Sequence, residues 1–177
     1  MYSNSLHIEN KIFCLLKIYI SLKYKIFFSL KTNNISMKVS ILKASEVNEN
    51  LSKQVKALFG ELNSEINQID LATLFNPKND IVFAYCMDGE KLAGMALMCN
   101  YTVISGYKGW VEDVVVDHNY RGKGLGRKLM NRLLEEGKKK GLSEILLFSN
   151  EKRQAAISLY KSLDFKQKHS GLYILKM

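Results

Sequence analysis

One stretch of the sequence, VVVDHNYRGKGLGRKLM at residues 114–130, restricts the fold and its use more than any other. Its three valines predict a buried strand, and glycines then occupy every second position at Gly122, Gly124 and Gly126. A helical stripe of leucines begins at Leu125. The first backbone N–H groups of a helix lack internal partners, and glycine lets the chain approach a ligand closely. The stretch therefore predicts a site for a phosphate group.

Basic residues around these glycines strengthen that prediction, because Arg121, Lys123 and Arg127 add full charges to the helix dipole. A P-loop fits poorly, since Gly126 is not followed by Lys and Ser or Thr. The dinucleotide-binding fingerprint also fits poorly, because the third glycine comes one position early and the next predicted strand ends in Ser149–Asn150 instead of an acidic residue. A purely structural turn would not need so many cations.

The composition is typical of one globular domain, with 177 residues, 47% of them hydrophobic and 24% charged. The net charge of +9 favours an anionic partner, such as a phosphorylated cofactor, nucleic acid or a membrane surface, although charge that serves solubility gives the same excess. The cysteines and histidines form no ligand-like spacing, so we expect no disulfide framework, no metal site and a reducing, cytoplasmic location. They are Cys14, Cys86, Cys99, His7, His118 and His169.

Residues 1–36 differ from the remainder of the chain. They contain no Ala, Gly, Val, Pro, Asp or Arg, while Ile, Lys, Asn, Phe and Tyr make up 21 of the 36 residues. We interpret them as an extension outside the domain, with Met37 as the natural start and 37–177 as the domain. Four lysines interrupt the apolar run at 11–30, which argues against a membrane span and leaves a basic interfacial helix open. The domain itself carries 21 basic and 16 acidic residues.

Hydrophobic periodicity divides the domain into ten elements in the order β-α-α-β-β-β-α-β-α-β. Hairpins and crossovers both occur in that order, so we expect an α/β (α+β) fold with a mixed sheet. Predicted strands cover 38–43, 81–87, 91–103, 110–117, 144–150 and 171–177, with a loop bracketed by Gly106 and Gly109. Predicted helices cover 51–62, 71–75, 125–140 and 153–165.

Three motifs together identify a family. Arg121–Gly126 follows the pattern Arg-x-x-Gly-x-Gly, VEDVVVDHNY (111–120) precedes it, and AAISLYKSLDF (155–165) follows later. Over about 140 residues from Met37 to the end, the chain resembles the GNAT superfamily of acyl-CoA-dependent N-acyltransferases. The resemblance implies a central sheet splayed at its fourth and fifth strands. It also implies acetyl-CoA as the donor and a primary amine of a small molecule or peptide as the acceptor.

The resemblance also assigns candidate cofactor-binding residues. The main chain of the fourth strand pairs with the pantetheine arm in this family, and the glycine turn cradles the pyrophosphate of CoA. Arg153 takes the place of the family's asparagine seven residues before the tyrosine, and we expect it to reach a phosphate, whereas Asn150 lies three residues earlier. The cofactor-binding candidates are Val114, Val115, Val116, Arg121, Gly122, Lys123, Gly124, Leu125, Gly126, Arg127, Asn150 and Arg153.

For catalysis, the resemblance implies direct attack by the amine. Tyr160 matches the tyrosine that protonates or hydrogen-bonds the departing thiolate. Glu112 is the candidate general base, and Asp113, expected to face the other way along the strand, is the second choice. Asp164 replaces a family glycine and predicts an altered turn.

The partners follow from the same assignment. We expect a monomer or homodimer that binds neither nucleic acid nor a membrane. A non-catalytic, acetyl-CoA-binding regulatory module is the alternative function. Acceptor determinants are expected in 51–80 and 102–109.

Overall fold

The computed structural model describes residues 37–169 and 171–175, and within them one sheet contains five strands. The strands lie side by side in chain order: β1 (Val39–Ile41), β2 (Ile81–Asp88), β3 (Lys91–Val103), β4 (Gly106–Val116) and β5 (Glu144–Leu147). Neighbouring strands are antiparallel except β4 and β5, which are parallel. The predicted mixed sheet is therefore confirmed.

Four helices accompany the sheet in the same described ranges: α1 (Glu49–Gly60), α2 (Leu71–Leu74), α3 (Leu125–Lys139) and α4 (Gln154–Lys161). A side-chain cap starts α1, where Asn48 Oδ1 accepts from Leu51 N at 2.9 Å. Short 3-10 helices at Ala44–Glu46 and His118–Tyr120 complete the pattern.

Two predictions about strands are wrong. Residues 171–175 form no strand, and the exposed side chains of Leu172 and Tyr173 show why, because the apolar alternation there meets no partner strand. Residues 176–177, like the predicted extension 1–36, lie outside the described residues. The predicted loop at 106–109 belongs to β4, since Gly106 pairs with Val103 around a two-residue turn.

The sheet separates two cores. On one face, α3 buries Leu129 and Leu133 against β2 and β3, and Tyr160 of α4 packs at the margin of that cluster. On the other face, α1 and α2 bury Leu58 and Leu71 against the opposite side of the same strands. Consequently α3 and α4 lie on one side of the sheet, and α1 and α2 lie on the other.

The strands β4 and β5 pair over only part of their length. The parallel register runs from Lys108–Val111 opposite Glu144–Leu147 and then stops, while β4 continues to Val116 along β3. Among the residues that the structure describes, the edge of β4 that faces away from β3 therefore has no strand partner from residue 112 onward. This opening through the sheet agrees with the predicted splay and positions the candidate site.

Candidate functional site

The opening between β4 and β5 forms a cleft of about 600 Å³, here called the splay cleft. It brings together eight of the residues that the sequence singles out, from β4, from the turn after it, and from α4 and the residue before it. They are Glu112, Asp113, Val114, Val115, Val116, Arg121, Arg153 and Tyr160. Its walls also include Glu61 and Leu62, which lie in the range 51–80 where acceptor determinants are expected. The lining residues that sequence reasoning missed are Val111, Leu147, Phe148, Ser149, Lys152, Gln154, Ala155 and Ala156.

A β-bulge places two carboxyl groups in this cleft. Leu97 pairs with Glu112 and Met95 with Val115, so two residues of β4 lie opposite one residue of β3. Asp113 adopts φ 51°, a left-handed conformation that is uncommon outside glycine. The bulge interrupts the alternation of the strand, and both Asp113 and Glu112 are among the residues that line the cleft, while the predicted direction of the Asp113 side chain stays a prediction.

Asp113 is half-buried and Glu112 is the more exposed of the two, but both carboxyl groups lose part of their hydration in the cleft. Burial raises the pKa of Glu112 above its ordinary value, and the neighbouring Asp113 charge raises it further. Burial likewise raises the pKa of Asp113. A carboxylate with a raised pKa is a stronger base, which is the property required of a group that removes a proton from an ammonium ion.

The valine run lies along the open edge of β4. Val115 is buried in the core under α1 and α2, whereas Val114 and Val116 pack against the core under α3. Apolar contacts on both faces of the sheet therefore hold the strand in place, and its main chain borders the cleft. Val116 O accepts a hydrogen bond from Arg121 Nε at 2.9 Å.

Tyr160 borders the cleft from α4. The ring is half-buried and lies edge-on to Phe165, with 6.1 Å between ring centroids. Burial raises the pKa of the phenol, while the nearby Arg153 charge opposes that shift. Within the described residues its hydroxyl group has no hydrogen-bond partner, which leaves the hydroxyl available to a ligand.

The glycine turn, defined as Arg121–Arg127, joins the end of β4 to α3. Gly122 and Gly124 have φ of 74° and 75°, and open space surrounds the position of a Cβ atom at each. Glycine is required at position 126 for a different reason, because a Cβ atom there would lie 3.3 Å from the side chain of Leu159 in α4. Two glycines therefore shape the turn, and the third permits close packing of the two helices.

No side chain caps the start of α3, which begins after Gly124. Lys128 N donates the first intrahelical hydrogen bond, to Gly124 O at 3.2 Å. The N–H groups of residues 125–127 precede it and point out of the helix end, where the helix dipole is positive. An uncapped helix after a glycine turn is suited to binding an anion.

The basic side chains of the turn have internal partners. Arg121 donates to Glu61 Oε2 at 2.9 Å, which ties the turn to the end of α1. Lys123 Nζ donates to Asn119 O at 3.0 Å, and Arg127 donates to Ser162 Oγ at 2.6 Å. Gly122, Lys123, Gly124, Leu125, Gly126 and Arg127 do not themselves line the splay cleft, which reaches the turn at Arg121.

Arg153 and Asn150 have different surroundings. Arg153 immediately precedes α4, and its guanidinium donates to Leu62 O at 3.3 Å. Asn150 does not line the cleft; its Oδ1 accepts from Lys152 N at 2.9 Å and shapes the turn before α4. Its predicted contact with the cofactor stays a prediction.

The turn after α4 tolerates aspartate. Asp164 adopts φ 65°, and Phe165 N donates to Tyr160 O at 3.1 Å as in a helix that ends at a left-handed residue. Asp is one of the few residues that enter this conformation at modest cost. The prediction of an altered turn is therefore wrong.

Glu61, Asp117 and His118 bring three potential metal ligands within 4.8 Å of one another. Each carboxylate already has a cationic partner, since Glu61 binds Arg121 and Asp117 binds Lys91 at 2.9 Å. These ion pairs account for the cluster. Among the described residues, no helix has the length and apolar character needed to cross a membrane.

Comparison with known proteins decides the family. The sequence model of the Acetyltransferase (GNAT) family matches residues 49–165, which include every element from α1 to α4. The chain belongs to the GNAT family. It is an acyl-CoA-dependent acetyltransferase, so the predicted family, fold class and type of enzyme are confirmed.

Individual relatives agree with this assignment. The chain is 28% identical over 144 residues to the glucosamine 6-phosphate N-acetyltransferase of Trypanosoma brucei brucei, covering 76% of this chain and 92% of that protein. A solved Trypanosoma brucei acetyltransferase superimposes with a TM-score of 0.64 at 26% identity, covering 78% of this chain and 99% of that one. A protein from Clostridium acetobutylicum described as a predicted acetyltransferase, and solved with acetyl-CoA, shares the fold with a TM-score of 0.59 at 16% identity, covering 78% of this chain and 95% of that one.

Proposed function

We propose that this GNAT protein transfers the acetyl group of acetyl-CoA to a primary amine of a small molecule or peptide. The amine attacks the thioester directly while donor and acceptor are bound together. One observation carries the proposal: the splay cleft has carboxyl groups on its β4 wall and a protonated phenol on its α4 wall. Those are the base and the acid that aminolysis of a thioester requires.

The donor side of the proposal rests on backbone groups. Acetyl-CoA is the donor that the family uses, and the amides of residues 122–127 are available for its pyrophosphate. The pantetheine arm extends from there along the open edge of Val114–Val116. Pairing with a free strand edge needs no polar side chain, which is consistent with the valine run.

The chemical step needs three proton transfers. Glu112 removes a proton from the acceptor ammonium, directly or through water, and Asp113 is the second candidate for that role. The free amine forms a bond to the carbonyl carbon, and the C–S bond of the resulting tetrahedral intermediate breaks to release the CoA thiolate. Tyr160 donates its hydroxyl proton to the sulfur, and the second proton of the attacking nitrogen then returns to the Tyr160 phenolate, directly or through water. Main-chain N–H groups near Val114 polarise the carbonyl oxygen.

The test is CoA release from acetyl-CoA with a panel of amines, amino sugars, polyamines and peptides. We expect Tyr160→Phe to lower kcat by about 100-fold or more while acetyl-CoA binding persists, because only the transferable proton is removed. Leu159→Met, on the same helix, serves as the control for packing. Acetyl-CoA binding without turnover of any amine would support the regulatory alternative, and full activity in Tyr160→Phe would exclude the proton-donor role.

A further inference from the structure

One side chain crosses the splay cleft from one face of the sheet to the other. Arg153 precedes α4, which packs on the α3 face, yet its guanidinium reaches Leu62 O beyond the end of α1 on the opposite face. The two residues are separated by 91 positions in the sequence. The guanidinium therefore lies at the opening between the strands, on the side occupied by α1.

The environment of Arg153 is short of negative charge. Among the described residues, no carboxylate lies within 4 Å of the charged groups of Arg153 or Lys152, whereas Arg121 is paired with Glu61. The bond of Arg153 to Leu62 O is long, at 3.3 Å, and its acceptor is a neutral carbonyl group. A phosphate or carboxylate forms shorter and stronger hydrogen bonds with a guanidinium and would replace that carbonyl readily.

The position of Arg153 favours the acceptor over the donor as the source of that anion. Its charge acts on the Tyr160 phenol, so the guanidinium lies near the place proposed for the thioester sulfur. The proposed pyrophosphate site is the glycine turn, which has its own basic residues and a separate helix end. Arg153 reaches the α1 side of the sheet, whereas α3, whose first turn is the proposed pyrophosphate site, packs on the opposite side.

We propose that Arg153 determines acceptor specificity by binding an anionic group, a phosphate or a carboxylate, on the amine substrate. This inference rests on the proposed function. Glu112 and Asp113 attract the ammonium group at one end of the acceptor, and Arg153 binds the anion at the other. The preferred acceptor is therefore a small amine that also carries an acidic group.

The test compares pairs of acceptors with and without an anionic group, each at saturating acetyl-CoA and over a range of pH, because the anion also changes the pKa of the amine. Glucosamine 6-phosphate is measured against glucosamine, and L-alanine against L-alaninamide. The first pair tests recognition of a phosphate, and the second pair tests recognition of a carboxylate. The variants are Arg153→Gln, which removes the charge, and Arg153→Lys, which keeps the charge without the planar fork. Lys161→Gln is the control, because it removes one charge from the same helix at a position outside the cleft.

We expect the wild type to favour the anionic member of at least one pair by roughly 10- to 100-fold in kcat/KM, the range expected for a charge-assisted hydrogen bond. Arg153→Gln removes that preference, Arg153→Lys retains part of it, and Lys161→Gln retains all of it. A thermal unfolding transition like that of the wild type shows that each variant was tested as a folded protein.

Two results would overturn the inference and leave the proposed function standing. One is equal use of anionic and neutral amines by the wild type. The other is an increase in the KM for acetyl-CoA in Arg153→Gln with the acceptor preference intact, which would assign the arginine to a phosphate of the donor. Failure of the wild type to acetylate any amine would reject the proposed function and this inference together.

Discussion

The glycine turn and the splay cleft are built from contacts of different range. The backbone of the turn depends on nearby residues: Gly122 and Gly124 adopt left-handed conformations, and Lys123 binds the carbonyl of Asn119 four positions earlier. The cleft depends on distant residues, because Arg153 binds Leu62 across 91 positions, and Arg121, where the turn meets the cleft, binds Glu61 across 60. The backbone proposed to bind the pyrophosphate is thus encoded locally, whereas the cleft is assembled by the fold.

This difference predicts that the two regions respond to different kinds of substitution. A site made of backbone amides should respond to substitutions that change the backbone, while a site made of side chains should respond to the loss of single functional groups. Substitutions in the two regions therefore separate the KM for acetyl-CoA from the chemical step. They test whether the glycine turn and the splay cleft differ in function as well as in the range of the contacts that form them.

The largest effect is expected at the β4 wall of the cleft. Glu112→Gln removes the candidate base while keeping its shape, so we expect kcat/KM to fall by about 100- to 10,000-fold with acetyl-CoA binding unchanged. The base works in its deprotonated form, and its pKa is raised. The activity of the wild type should therefore decline as the pH falls toward that raised pKa, and this acidic limb should be absent from the residual activity of Glu112→Gln.

Asp113→Asn is the matched variant for that measurement. A small loss in Asp113→Asn beside a large loss in Glu112→Gln supports the assignment. The reverse result would transfer the role of base to Asp113, whose carboxyl group also lines the cleft and whose backbone is in a strained conformation.

An intermediate effect is expected in the glycine turn. Gly124→Ala forces a left-handed conformation on an L-residue at about 1–2 kcal/mol, and the turn relieves that strain by changing the direction of its amides. Acetyl-CoA binding should then weaken by about tenfold, with kcat at saturation nearly unchanged. Titration of the protein with acetyl-CoA, alongside steady-state kinetics, measures both quantities.

Gly141→Ala controls for the strain itself. Gly141 follows the opposite end of α3, has φ 70°, and also has open space around a Cβ position. Both variants should lose similar stability on thermal unfolding, but only Gly124→Ala should bind acetyl-CoA less well. Equal effects on binding would mean that α3 as a whole, and not the turn, controls the affinity for the donor.

The same difference, between contacts near in the sequence and contacts distant in it, explains which features the sequence predicts well. The predicted helix 125–140 agrees with α3 because glycines bracket it on both sides, and left-handed glycines leave a local signal. Gly109 misled the prediction of β4, since that glycine is required for packing: a Cβ atom there would lie 2.7 Å from Met98 Sδ. The contacts of Glu61 and of Arg153 with residues far away in the sequence leave no pattern, so only the fold reveals them.

The smallest effect is expected where the two regions meet. Glu61 joins α1 to the glycine turn through Arg121 and through His118, whose backbone N–H lies 3.2 Å from Glu61 Oε2. The side chain of Arg121 is 57% exposed, so solvent screens the pair and limits its contribution to about 0.2–1 kcal/mol. Glu61→Gln should therefore raise the KM for acetyl-CoA only about two- to fivefold, and less at high salt.

The control is Glu49→Gln, which breaks an exposed ion pair with Lys53 at the other end of α1 and should leave that KM unchanged. A lower KM in Glu61→Gln would show that Glu61 competes with the donor phosphates for Arg121 instead of holding the arginine in place.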